Sequence, residues 1–402
     1  MPRPQIIILF VLLVTSVSQS FIYAVLPSNG RALGLSDIQI GAISAFSTIG
    51  FIIGAPILGG LSERFGRVPF LAFGMLAGAL VNLVFYVAIG AGLSGLMSVF
   101  SVYLCLVFSR LFLNVSWSGM FPAVQAYTAD KTTDEKRGAV IAMNSAAHGV
   151  GAAAGPMVAL GLAALSPLAP FLGVALLSFL TFLLVVVFLS DGARASDRGA
   201  KATKRGDAGL LWRIWPLLLV GFLSILGTRT LQQMIAFRVQ DEFALPYEEA
   251  AHMAGIMLAA LAVTMIIGQI LIGFKIVDRK PLELIRIGGW MACLGSVMYT
   301  ACGFLSSLPH NALFPLELVC LLILGAGLGF VGPGAAALVT FSAGKESQGR
   351  AAGLWNSAQV IGLMTGPILG TALYQVNANL PFVLISAIFA GIFFVARMGL
   401  VR

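Results

Sequence analysis

The stretch Gly59–Leu71, GGLSERFGRVPFL, places Glu63, Arg64 and Arg67 between two long apolar runs, 38–60 and 69–90. Gly66 permits a tight turn. Pro69 stands where a following helix would take its first residues, where the missing N–H costs nothing. Each flanking run reaches the roughly 20 apolar residues that a helix needs to cross a bilayer. The stretch therefore reads as a charged turn between two membrane helices.

The rest of the 402 residues extends that reading, with 59% hydrophobic and only 10% charged. Soluble domains carry about 25% charged residues. Twelve spans follow from the hydropathy pattern: 5–26, 38–60, 69–90, 96–121, 138–163, 167–189, 213–237, 250–274, 283–305, 313–336, 350–373 and 380–399. The first run has no small-residue cleavage site before Pro27, and many similar runs follow, so it reads as a retained helix. Cys105, Cys293, Cys302 and Cys320 lie in apolar runs without ligand spacing and read as core residues.

Basic residues set the orientation. Arg64 and Arg67, Lys131 to Arg137, Arg194 to Arg205, Lys275 to Arg286, and Lys345 with Arg350 fall in or beside the even-numbered loops. The odd-numbered loops carry Arg31 and Arg238 with the acids Asp37, Asp241, Glu242, Glu248 and Glu249. The even loops and both termini are therefore expected in the cytoplasm. The net charge of +8 is mostly this topology signal, spread over short loops, and implies no nucleic-acid partner. The polar segment Ser190–Leu211 divides the chain into an N-terminal six-helix bundle, 1–190, a cytoplasmic linker, 191–211, and a C-terminal six-helix bundle, 212–402.

The halves echo each other. Pro122 with Pro333, Pro156 with Pro367, Gly155 with Gly366, and Gly151 with Gly362 all stand 211 apart, and Pro69 with Pro281 stand 212 apart. Parallel six-helix repeats are a construction of rocking transporters, which bind substrate near the bilayer midplane.

With these residues in place, the chain resembles the major facilitator superfamily. Gly59–Leu71 is similar to that family's loop signature, G-x-L-a-D-r-x-G-r-k-x-x-l. Gly59, Leu61, Arg64, Gly66, Arg67 and Leu71 match, Glu63 replaces Asp, and Val68 replaces a basic residue. A degenerate echo, FKIVDRKPLELI, spans Phe274–Ile285 and includes Asp278 and Arg279. The resemblance implies an all-α membrane fold of twelve helices in two bundles. It also implies that Gly59, Glu63, Arg64, Gly66, Arg67, Asp278 and Arg279 form a conformational latch.

The stretch GVGAAAGPMVALG, Gly149–Gly161, resembles the antiporter signature G-x-x-x-G-P-x-x-G-G of the drug–proton branches. Gly151, Gly155 and Pro156 match, while Ala159 and Leu160 replace the last two glycines. Proline and close-packed glycine bend and tighten a helix contact. Gly362, Gly366 and Pro367 repeat the kink in the second half. Val25–Phe46 looks like the start of bacterial efflux members. The resemblance thus implies proton-coupled export of a small organic compound by a functional monomer in the bacterial inner membrane. An organic-anion exchanger, or an uptake symporter, of the same fold is the alternative.

The buried polar residues narrow the pathway. Arg110 is the only charged residue between Val68 and Ala129. Spans 1 and 4 hold no Asp or Glu; they offer Gln19, Tyr23 and Asn114. His148 precedes the Gly-Pro kink. Arg229 lies about sixteen residues into span 7, roughly 24 Å along a helix, beside Gln232 and Gln233. Glu317 is an acid that lies inside a span, near the start of span 10. Intramembrane ionisable residues usually mark a substrate or proton path, so Arg110, Arg229, Gln19, Tyr23, Asn114, His148, Gln232, Gln233 and Glu317 form the candidate set. Two buried arginines without a midspan acid favour an anionic group. No catalytic or metal-ligand cluster and no Walker loop is present, so neither an enzyme, a metal site, a cofactor site nor an ATP-driven pump is expected.

Overall fold

The computed structural model describes residues 3–131, 134–191, 209–273, 279–305, 309–343 and 348–398. The regular structure in them is helical throughout: α1 (Arg3–Ser20), α2 (Ile22–Ala32), α3 (Asp37–Phe65), α4 (Val68–Leu93), α5 (Val99–Lys131), α6 (Asp134–Ala163), α7 (Ala169–Phe188), α8 (Leu210–Glu242), α9 (Tyr247–Gly273), α10 (Pro281–Cys302), α11 (His310–Ala343), α12 (Gln348–Val376) and α13 (Leu380–Arg397). The helices α1 and α2 are one run interrupted at Phe21, so the thirteen segments correspond to twelve spans. Among the described residues, eight helical runs are long and apolar enough to cross a bilayer.

Local chemistry explains the boundaries. Proline occupies the first positions of α4, α7, α10 and α13, where its missing N–H is harmless. Ser36 and Gln39 cap α3 reciprocally in a capping box. Gly66 ends α3 at φ 97°, a conformation that glycine adopts freely. Several helices outrun their apolar windows: α5 continues to Lys131, α6 begins at Asp134 and α8 continues to Glu242. A helix needs apolar side chains only where lipid surrounds it, so charged turns extend it beyond the window.

Two compact units emerge: Met1–Gly199 with Leu245–Ile256, and Ala200–Ala244 with Met257–Arg402. In the first, Phe171 packs against Phe21 and Phe85, with ring centroids 5.4 and 5.6 Å away. In the second, Tyr299 meets Phe382 at 5.3 Å, and Phe237 meets Tyr374 at 5.9 Å. Large apolar side chains such as Leu80, Val187, Trp290 and Phe394 face outward, as a lipid environment requires.

Candidate functional site

In the first unit, α6 lies against α1 through its glycines. A Cβ on Gly151 would stand 2.8 Å from Ser16 Cβ and would strike the Leu13 carbonyl. A Cβ on Gly155 would stand 2.8 Å from the Phe21 nitrogen and 2.9 Å from the Val17 oxygen, and would overlap Ser20. The interruption between α1 and α2 falls at this contact. Ser20 Oγ donates to the Ser16 oxygen at 2.9 Å, a back-bond that loosens a helix turn.

The second unit repeats this arrangement with α12 and α8. A Cβ on Gly362 would stand 2.6 Å from the Phe222 oxygen, and one on Gly366 would stand 3.0 Å from the Leu226 oxygen and 3.2 Å from the Thr230 nitrogen. The partners Leu13 and Phe222, Val17 and Leu226, Ser20 and Arg229, Phe21 and Thr230 all stand 209 apart. The duplication read from Gly and Pro spacing is thus also a duplication of helix contacts. In this frame Arg229 takes the place of Ser20.

Arg110 is 6% exposed on α5, with its guanidinium carbon 6.0 Å from the Trp117 ring centroid. Trp117 is held by its Nε1, which donates to the Gly74 oxygen at 3.1 Å. Asn114, half-buried one turn on, donates to the Arg110 carbonyl at 3.3 Å. Gln19 is half-buried on α1, and Tyr23 is buried on α2. His148 is half-buried on α6 and lies against Phe121, with ring centroids 5.6 Å apart. Buried amides join the helices around them: Asn82 donates to Ser18 Oγ at 3.0 Å, and Gln5 donates to Asn144, which donates to Thr128.

On α8, Arg229 Nη1 donates to Gln232 Oε1 at 2.9 Å. Gln233 is 1% exposed, and its Nε2 has no hydrogen-bond partner among the described residues. Glu317 is 0% exposed and does not stand alone, because Arg238 Nη2 lies 2.8 Å from its Oε1. Arg238 also pairs with Glu242 at 2.7 Å and donates to the Tyr299 carbonyl at 3.0 Å. Its guanidinium carbon lies 4.4 Å from the Tyr299 ring and 4.8 Å from the Phe382 ring, within cation–π range. Arg238 was expected as a loop residue; the structure buries it in a helix, since its charge is matched inside the protein. Sequence offered one signal for this, the i,i+4 spacing of Arg238 and Glu242.

The charged turn after α3 has a partner that the sequence did not suggest. The Arg67 and Val68 amides donate to Asp191 Oδ1 at 2.7 and 3.1 Å. A Cβ on Gly66 would overlap the same carboxylate. The carboxylate thus closes the unpaired N–H groups at the start of α4. Burial and Asp191 together push the Tyr127 phenol up from its ordinary value. Arg279 makes a 3.6 Å ion pair with Glu283 in an exposed position. Asp278 and the side chains of Glu63 and Arg64 lie outside the described residues, as does any contact of Gly59. Among the described residues, no group of three or more His, Cys, Asp or Glu is placed to hold a metal ion.

The chain is 25% identical to Multidrug resistance protein 2 of Bacillus subtilis (strain 168), over 98% of this chain and 94% of that protein. It is 26% identical to the class C Tetracycline resistance protein of Escherichia coli, over 93% of this chain and 89% of that protein. Its fold matches the crystal structure of a D-xylose-proton symporter at TM-score 0.77 and 14% identity, covering 98% of this chain and 96% of that one. The family model of the Major Facilitator Superfamily matches residues 8–316, and with the repeated six-helix frame this establishes that the chain belongs to that superfamily.

Proposed function

We propose that this secondary transporter exports a small organic compound in exchange for protons by alternating access, with 1–190 and 212–402 as its six-helix halves and 191–211 as their linker. The observation that carries export is similarity to a multidrug resistance protein along 98% of the chain. The Gly155–Pro156 turn pressed against α1 supports the antiporter reading. The substrate and proton path runs past Arg110, Arg229, Gln19, Tyr23, Asn114, His148, Gln232, Gln233 and Glu317. Gly59, Glu63, Arg64, Gly66, Arg67, Asp278 and Arg279 act as the latch. The protein works as a monomer in the bacterial inner membrane with both termini in the cytoplasm.

A second reading, exchange of an organic anion, is favoured by the burial of Arg110 in a helix that carries no acid near it in sequence. Counterflow in proteoliposomes decides between the two. A panel of anionic, neutral and cationic compounds is offered with and without a pH gradient. Export by proton exchange requires that a gradient drive at least one compound uphill. Movement of anions alone, indifferent to the gradient, selects the second reading.

A further inference from the structure

We propose that Glu317 and Glu242, gathered around Arg238 in the second unit, form a binding site for one proton. The argument begins with charge. Arg238 lies 2.8 Å from Glu317 and 2.7 Å from Glu242, so one guanidinium serves two carboxylates. With both acids ionised, the cluster carries a net charge of −1. Glu317 is 0% exposed, and neither of its oxygens has a hydrogen-bond partner among the described residues. An uncompensated buried charge costs several kcal/mol, and neutralisation relieves that cost. One proton brings the cluster to zero. It also supplies a donor between the two acids, since two carboxylates can share a hydrogen bond only when one is protonated.

Among the described residues, the groups around the pair supply no other fixed countercharge. Helix α8 contributes Arg238 and Glu242. Helix α10 contributes Tyr299 and Cys302, and α11 itself adds Cys320 beside Cys302. Helix α13 contributes the Phe382 ring. Asp241, on the next face of α8, accepts from Tyr374 of α12 at 2.7 Å. Glu242 is the last residue of α8, where the helix dipole opposes a negative charge, and its side chain is 13% exposed. It gives the proton a route from solvent to Glu317, which has none of its own.

The duplicated frame separates this cluster from the demands of folding. At the α1/α8 offset of 209, Arg238 corresponds to Asn29; at the α5/α11 offset of 211, Glu317 corresponds to Leu106. Asn29 is 1% exposed and Leu106 is 0% exposed. The first unit fills the same two places without any charge.

The inference rests on the proton-exchange reading for what the proton does, but not for its binding, and the test separates the two. Infrared difference spectra of the purified full chain, between alkaline and acidic buffer, read the carbonyl band of a protonated buried carboxyl group. The wild type is expected to show this band, Glu317→Gln to lose it, and Glu242→Gln to shift it. Persistence of the wild-type band in both variants, or its absence from the wild type, overturns the site. In proteoliposomes, Glu317→Gln is expected to lose movement driven by a pH gradient. A variant that still couples to the gradient also overturns the site's role. A wild type that shows the band but ignores the gradient overturns only the export reading. Should Glu317→Gln fail to fold, Arg238→Asn combined with Glu317→Leu copies the first unit's pair and takes its place in both measurements.

Discussion

Gly155 and Phe21 stand so close that a single methyl group on the glycine would sit 2.8 Å from the Phe21 backbone nitrogen. Backbone cannot move aside as a flexible side chain can. Gly155→Leu is therefore expected to force α6 away from α1, at a cost of about 1–3 kcal/mol for an overpacked contact. Gly161, six residues on in the same helix, has open space within 4 Å of the point where a Cβ would stand, so Gly161→Leu is the control. Thermal unfolding of the two purified variants should separate them clearly. Equal melting temperatures would mean that the α1–α6 contact does not constrain the fold.

Asp191 and Gly66 make a second pair whose roles can be separated. Removing the carboxylate in Asp191→Ala leaves the Arg67 and Val68 amides without their acceptor, and loss of a helix cap costs about 0.5–2 kcal/mol. Gly66→Ala does more, since it places a Cβ at φ 97° and into the same carboxylate. The expected order of melting temperatures is wild type, Asp191→Ala, then Gly66→Ala. The double variant should fall short of the sum, because the steric part of the glycine effect disappears with the carboxylate.

The contrast between these sites explains what the sequence could disclose. The span start at Pro69 was legible because proline acts on its own neighbours. The duplication was legible because Gly and Pro constrain backbone at fixed positions in each copy. Asp191 was not, since its partners lie more than a hundred residues earlier and its own flank reads as the start of a polar linker. Arg238 was misplaced for a related reason. Hydropathy ends a span at the first cluster of charges, yet Glu317 and Glu242 match that charge inside the protein and let the helix continue.

For the latch, Glu63→Gln is expected to leave membrane insertion intact and to slow transport, as a weakened contact would shift the balance between conformations while sparing the pathway. Labelling of engineered cysteines on the two faces of the membrane reads that shift. Labelling and rate both unchanged would remove Glu63 from the latch.

Arg110 provides the sharpest test of the pathway. It is 6% exposed, on a helix whose neighbours in sequence are apolar, and it stays charged at every accessible pH. A charged side chain at a span's centre costs about 2.5–3.5 kcal/mol on insertion scales, so its removal should ease insertion rather than harm it. Trp117, whose ring it approaches at 6.0 Å, is anchored independently by the Gly74 carbonyl and should hold its place without the arginine. Arg110→Ala is therefore expected to yield folded protein that no longer transports. Arg110→Lys keeps the charge but loses the planar fork of donors, and is expected to retain only a fraction of the rate. Transport in proteoliposomes, paired with size-exclusion profiles and melting temperatures of the same preparations, measures both halves of the claim. Folded Arg110→Ala protein that transports at the wild-type rate, with the wild-type dependence on the pH gradient, would leave this arginine a structural role alone.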